Sequence, residues 1–325
     1  RLSFSDTTLG GARYNPALRV IDPFGRDIFG PYELRNAPVL DVLHDGTYTL
    51  LFEGATYETA ASLTYGFTLS EVVDTSTELT LGETVEGEIA TAHGSDSYTF
   101  TLGETTDVVL DILSRSDDGR VRISGPNGFI RTLHLTDADS ADTSVNPFMR
   151  LAAGDYRLTI TSDDNWNRPA YSLRLLDAAS ADTVDLETAV SGTLSPGAET
   201  DIYRFDVEAG QVVSIGEVTN TGGRYNAYFR LIDPLGQVIA GPTRLSGQGA
   251  QELQLAGTYT LLIEGRVYED DGNEIAYGFR LVDPQDPDPV EITVGESVAA
   301  EIARAGQSHR FTFDLGQDTR LYLDS

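Results

Sequence analysis

The stretch "VIDPFGRDIFGP" occupies residues 20–31, and 211 positions later "LIDPLGQVIAGP" occupies residues 231–242. In both, the aspartate is placed to accept hydrogen bonds from the backbone that follows it. Proline presets φ at the next position, and glycine stands where the chain leaves the turn. That is the chemistry of a hairpin connection, so the phrase reads as scaffold built twice and not as a site used twice.

The match extends outward from the phrase. "LGGARYNPALRVIDPFG" (9–25) lies over "TGGRYNAYFRLIDPLG" (221–236), and "DGTYTLLFEG" (45–54) lies over "AGTYTLLIEG" (256–265). A divergent copy fills the middle of the chain, where "ISGPNG" (123–128), "AGDYRLTI" (153–160) and "YSLRLLD" (171–177) answer the same phrases. The front of the unit recurs as "GETVEGEIATAHGSDSYTFTL" (82–102), "LETAVSGTLSPGAETDIYRFDV" (186–207) and "GESVAAEIARAGQSHRFTFDL" (295–315). Phe100, Phe205 and Phe313 are 105 and 108 residues apart, which sets the period slightly above 100 residues. The expected organisation is the back part of one repeat at 1–74, complete repeats at 75–179 and 180–285, and the front part of another at 286–325.

Within each unit the apolar period is two. "SYTFTL", "VVLDI", "YTLLIEG" and "YGFRLV" are short, rich in β-branched and aromatic residues, and separated by Gly, Pro, Asp and Asn. Seven to nine such strands in about 100 residues predict an all-β fold of tandem antiparallel sandwiches, jelly-roll or immunoglobulin-like. Tyr48, Tyr156 and Tyr259 each follow a turn and enter a strand, the position of the corner tyrosines of sandwich proteins.

The succession "GTLSPGAETDIYRFDVEAGQVVSI", "LIDPLGQVI", "AGTYTLLIEG" and "YGFRLV", preceded by an acidic linker, resembles the bacterial pre-peptidase C-terminal domain. In repeated form the resemblance covers the whole chain, and related repeats occur in very large secreted surface proteins. It implies a β-sandwich, an extracellular setting and, in some members, calcium near the linker before the domain. Members appended to secreted proteases bind substrate or assist secretion; no protease domain accompanies the repeats here.

Composition narrows the partners. Fifty-one acidic residues stand against 22 arginines and no lysine, giving a net charge of -29. Phosphate attraction becomes repulsion at that charge, which argues against nucleic acid as a partner. No apolar run approaches the length of a membrane span, so membrane insertion is not expected. "RLSFSD" at the start has no leader character and reads as sequence from within a domain. Cysteine is absent, which removes disulfides, thiol catalysis and cysteine-bound zinc together.

Catalytic patterns are missing: no H-E-x-x-H, no G-x-S-x-G and no phosphate-binding glycine loop. His44, His93, His134 and His309 are scattered without ligand spacing. Three acidic groups could hold calcium, which takes six to eight oxygens. Asp137, Asp139 and Asp142 lie in an insertion of the middle repeat; Glu269, Asp270 and Asp271 lie in a turn; Asp283, Asp286 and Asp288 alternate with proline in a linker. The recurring Arg13, Tyr14, Asn15 and Arg224, Tyr225, Asn226 could grip a sugar or a partner's edge, and the lone tryptophan, Trp166, sits in a loop.

These features predict a non-enzymatic structural segment of a secreted bacterial surface protein, an adhesin stalk or filament body. Its partners would be neighbouring copies or repeats of itself, with cell-surface glycan or protein as further partners. The alternative is an accessory substrate- or glycan-binding module of a secreted enzyme. Residues 286–325 hold the front strands that 1–74 lack, so the partial repeats are completed either by another copy or by the neighbouring repeats of a longer chain.

Overall fold

A computed structural model describes the chain except residues 12–13, 35–38, 60–61, 115–118, 137, 140–144, 163–167, 268–272, 305, 317–319 and 323–325. No α-helix occurs among the described residues. The chain forms two compact units, Arg1–Asp139 with Pro147–Asp177 and Ser140–Asn146 with Ala178–Ser325.

The first unit opens with β1 (Leu2–Gly10), β2 (Ala17–Ile21), β3 (Asp27–Glu33), β4 (Thr49–Glu53) and β5 (Thr64–Glu71). β1 pairs with β5, and β3, β2 and β4 form a second sheet in that order. Nine strands follow: β6 (Asp74–Glu78), β7 (Val85–Glu88), β8 (Ser95–Leu102), β9 (Thr106–Ile112), β10 (Gly119–Ser124), β11 (Ile130–His134), β12 (Phe148–Leu151), β13 (Gly154–Ser162) and β14 (Ala170–Asp177). They make a five-stranded sheet, β11-β10-β13-β8-β6, and a four-stranded sheet, β12-β9-β14-β7.

The second unit repeats the plan with β15 (Asp182–Thr183), β16 (Ala189–Leu194), β17 (Thr200–Val207), β18 (Gln211–Gly222), β19 (Tyr228–Ile232), β20 (Val238–Arg244), β21 (Gln248–Leu253), β22 (Gly257–Glu264) and β23 (Ile275–Val282). The sheets are β20-β19-β22-β17-β15 and β21-β18-β23-β16, the same order strand for strand. Beyond them lie β24 (Val290–Glu291) and β25 (Phe311–Thr312).

The all-β sandwich expected from the sequence is the fold. Alternate residues of both sheets meet in one core: Phe205, Phe229, Tyr259 and Leu261 from the first, Ile215, Tyr277, Phe279 and Leu281 from the second. One detail departs from a wholly antiparallel sheet. The strand that leads into each repeat pairs in parallel with a strand further along the chain, β6 with β8, β15 with β17 and β24 with β25.

The turn that decided the fold is built as its sequence requires. Asp22 Oδ1 accepts from the backbone N–H groups of Phe24 (2.9 Å) and Arg26 (2.8 Å), and Asp233 Oδ1 accepts from Leu235 (2.9 Å) and Gln237 (2.8 Å). At the far end of the phrase, Gly30 and Gly241 have φ of +97° and +82°, and a Cβ on either would lie 2.2 Å from the carbonyl oxygen of Leu18 or Phe229. Only glycine fits a left-handed bulge pressed that close to the adjacent strand. The three turn tyrosines are corner residues: Tyr48, Tyr156 and Tyr259 donate to the carbonyls of His44, Ala152 and Leu255, each four positions back.

Candidate functional site

Each complete sandwich carries a polar cluster against its core. In the second unit, Tyr277 on β23 donates to Asp201 on β17 at 2.6 Å and lies 2.5 Å from the Tyr203 hydroxyl. In the first, Tyr171 on β14 donates to Asp96 on β8 at 2.7 Å and meets Tyr98 at 2.8 Å. Burial, reinforced by the neighbouring carboxylate, pushes the Tyr171 and Tyr277 hydroxyls far above the ordinary phenol range. Both phenols therefore stay protonated donors that tie one sheet to the other. Sequence reading passed over these clusters, although strand parity signals them: Asp96 and Asp201 each stand two residues before an inward tyrosine.

A second polar pair crosses β19 and β22. Arg230 Nε lies 3.1 Å from both carboxylate oxygens of Glu264, and both side chains are fully buried. Burial pushes Glu264 up to about 7, while the Arg230 guanidinium pulls it back. The equivalent pair in the first unit, Arg19 and Glu53, is half-exposed, and Arg19 divides its contacts between Glu53 and Asp27.

The recurring Arg-Tyr-Asn segment is braced from within. Asn220 receives the Ala227 N–H (2.9 Å) and donates to the carbonyls of Ala227 (2.9 Å) and Leu245 (3.0 Å). The Arg224 and Arg266 guanidinium groups lie 5.3 Å and 4.5 Å from the Tyr225 ring centre. Asn226, with its amide turned to suit its neighbours, donates to the Asn220 carbonyl and accepts from Arg244. In the first unit Tyr14 stacks edge-on against Tyr57 at 4.7 Å and its N–H donates to Glu58, while Asn15 donates to Glu33. Arg13 and Trp166 lie outside the described residues.

Of the calcium candidates, Asp137, Asp142, Glu269, Asp270 and Asp271 also lie outside the described residues. Asp139 is buried and accepts from the Ile112 N–H. In the linker, Asp283 Oδ1 accepts from the Gln285 N–H (3.0 Å), and the two oxygens of Asp286 take the N–H and hydroxyl of Ser308. Asp283, Asp286 and Asp288 do not gather into one group, and no cluster of three metal-ligating side chains forms among the described residues.

Other polar features are isolated. His93 Nε2 is buried without a partner, and desolvation lowers that imidazole's affinity for a proton, with Arg1 adding to the effect. A shallow groove of about 590 Å³ runs over the outer face of the sheet containing β8 and β13, between Glu78, Thr101, Asp155 and Arg157.

No protein-family model matches the chain. No curated protein matches it significantly. Among solved structures it is similar to the periplasmic inhibitor of g-type lysozyme PliG from Aeromonas hydrophila, at 18% identity over 31% of this chain and 95% of that one, with a TM-score of 0.25. PliG from Salmonella Typhimurium gives 20% identity over 31% and 98%, with a TM-score of 0.24. The CUB1-EGF-CUB2 region of human MASP-1/3 gives 10% identity over 62% and 99%, with a TM-score of 0.21. Similarity of this degree says nothing about what the chain does. No helix among the described residues is long and apolar enough to cross a membrane.

Proposed function

We propose that the chain is a non-catalytic structural segment of a secreted bacterial surface protein built from tandem repeats, serving as an adhesin stalk or the body of an extracellular filament. The observation that carries this reading is the strand-for-strand identity of two nine-stranded sandwiches. The residues that recur between them are the corner tyrosines and the buried tyrosine–aspartate clusters, which hold the fold, while the turn aspartate of the second, Asp233, is answered by Gly125 in the first. A chain that repeats its scaffold and little else is suited to spanning distance. The acidic surface suits an extracellular medium and the absence of cysteine removes any dependence on disulfides.

The test is immunogold labelling of intact cells of the source bacterium with antibody raised against this chain. Labelling outside the envelope, standing off from it, is the expected result; label confined to the cytoplasm would overturn the proposal. A glycan-array screen addresses the binding-module alternative, because saturable capture of a polysaccharide that is lost in Trp166→Ala would favour an accessory domain over a stalk.

A further inference from the structure

Three arginines gather at one end of the second sandwich. Tyr228, the first residue of β19, stands opposite Arg244 at the end of β20 and opposite Glu264 at the end of β22. The segment 223–227, which joins β18 to β19, and Arg266, just beyond β22, meet at the same end. The Arg266 guanidinium lies 4.5 Å from the Tyr225 ring centre and 4.8 Å from that of Tyr228, whose hydroxyl accepts a hydrogen bond from it. Arg224 lies against Tyr225, and Arg244 donates to the Asn226 side chain.

None of these three arginines forms an ion pair among the described residues. Two carboxylates at this end, Glu264 and Glu274, are engaged by Arg230 and by the Ser195 hydroxyl. Arg266 Nε is buried with no hydrogen-bond partner, while Arg224 and Arg244 are exposed. Acidic residues outnumber arginines more than twofold in this chain, yet three cations stand together here without one, against their mutual repulsion. A guanidinium laid on an aromatic ring keeps its in-plane N–H groups free to grip a carboxylate through two parallel hydrogen bonds.

The fold does not require this charge. In the repeat 211 positions earlier, Ala17 stands for Tyr228, Glu33 for Arg244 and Ala55 for Arg266, with Ala17 opposite Glu33 in the same register. There Asn15 donates to Glu33, so the asparagine that meets an arginine in one repeat meets a carboxylate in the other. Tyr228, Arg244 and Arg266 are thus exchanged together, while the turn aspartate and corner tyrosine of the same repeat are kept.

We propose that this end of the second sandwich binds a sugar carrying a single carboxylate, as an acidic terminal residue of a cell-surface glycan does. It adds a ligand site to the structural reading above and does not depend on that reading. The guanidinium groups take the carboxylate. The remaining N–H donors, and the Tyr228 O–H, meet the hydroxyls of the ring. An extended polyanion does not fit, because its further charges meet the acidic remainder of the chain. A single carboxylate is held by the arginines alone, since exposed charges beyond roughly 8 Å are largely screened at physiological salt. A lone carboxylate on a protein surface gains little from such pairing, whereas a sugar acid adds hydrogen bonds through its hydroxyls.

Saturation-transfer NMR titrations of the intact chain test the site. The probes are the methyl glycosides of glucuronic acid and N-acetylneuraminic acid, with methyl glucoside and acetate beside them. At least one acidic sugar is expected to bind about tenfold more tightly than the glucoside, which lacks the carboxylate, and than acetate, which lacks the ring. Arg224→Gln and Arg244→Gln, both at exposed positions, should each weaken that binding about tenfold with an unchanged circular dichroism spectrum. Arg157→Gln, at an exposed position of the first unit, should leave it unchanged. Failure of both acidic sugars to bind would overturn the proposal. So would equal binding of acetate, which would mean a simple anion site, equal binding of the glucoside, or full affinity in both arginine variants. Each of these leaves the stalk reading standing, because surface labelling tests that separately.

Discussion

Gly192 on β16 faces Tyr277 on β23, and a Cβ at position 192 would stand 2.3 Å from the tyrosine hydroxyl oxygen. Gly87 and Tyr171 repeat the arrangement in the first unit, at 2.4 Å. The glycine is a space for the neighbouring ring, which lets the hydroxyl reach an aspartate on the opposite sheet. Gly192→Ala must push that ring aside and is expected to cost about 1–3 kcal/mol, as overpacking of a core does. Urea denaturation of the variant measures it, and an unchanged midpoint would show that the ring relocates freely.

Removing the hydroxyl separates its role from that of the ring. Tyr277→Phe keeps the packing but removes the hydroxyl that donates to Asp201, for an expected loss of about 1–3 kcal/mol. Tyr277→Phe combined with Asp201→Leu should recover part of that loss, since both polar partners then disappear together. The double-mutant cycle is the measurement, and strict additivity would mean the bond contributes nothing.

The Arg230–Glu264 pair gives stability a pH dependence of definite sign. Burial raises Glu264 from the usual 4.5 to about 7, so the folded state holds a proton that the unfolded state has lost in that window. Its contribution is therefore fully present below pH 4.5 and declines as pH climbs through 7, by on the order of 3 kcal/mol across the whole span. Comparing the wild type with Glu264→Gln at pH 5 and pH 8 isolates this effect, because the other carboxylates are common to both. The gap between the two proteins should shift against the wild type at the higher pH.

The opening turn offers a local test. Asp233→Ala removes the acceptor for two backbone N–H groups and should cost about 1–2 kcal/mol. Asp233→Asn, which keeps an oxygen acceptor, should cost less. Hydrogen exchange at Leu235 and Gln237 reports the loss directly: their amides should exchange faster in the alanine variant and only slightly faster in the asparagine one.

Much of the fold was legible because its punctuation is local. An Asp-Pro-x-Gly turn fixes its own geometry within five residues, and Tyr259 finds its acceptor four positions back, so both can be read without knowing what packs where. The tyrosine–aspartate clusters join residues about 75 positions apart, so although parity sets Asp96 and Asp201 on the face of an inward tyrosine, the tyrosine each one accepts from cannot be read locally. The parallel pairing of β15 with β17 was likewise hidden, because two residues of linker carry no strand signature of their own. Arg230 stands on the face that alternation assigns to solvent, and nothing in the local pattern distinguishes it from the half-exposed Arg19.

The parallel lead-in strands have a mechanical consequence. Tension drawn along the chain at such a joint pulls the strand lengthwise against its partner, so its hydrogen bonds bear load together instead of opening one after another. β6 is registered with β8 over five positions, Asp74 to Glu78, while β15 meets β17 over two, Asp182 and Thr183. Under stretching in an optical trap, the second joint is expected to let go at lower force than the first, lengthening the chain by a short step before either sandwich unravels.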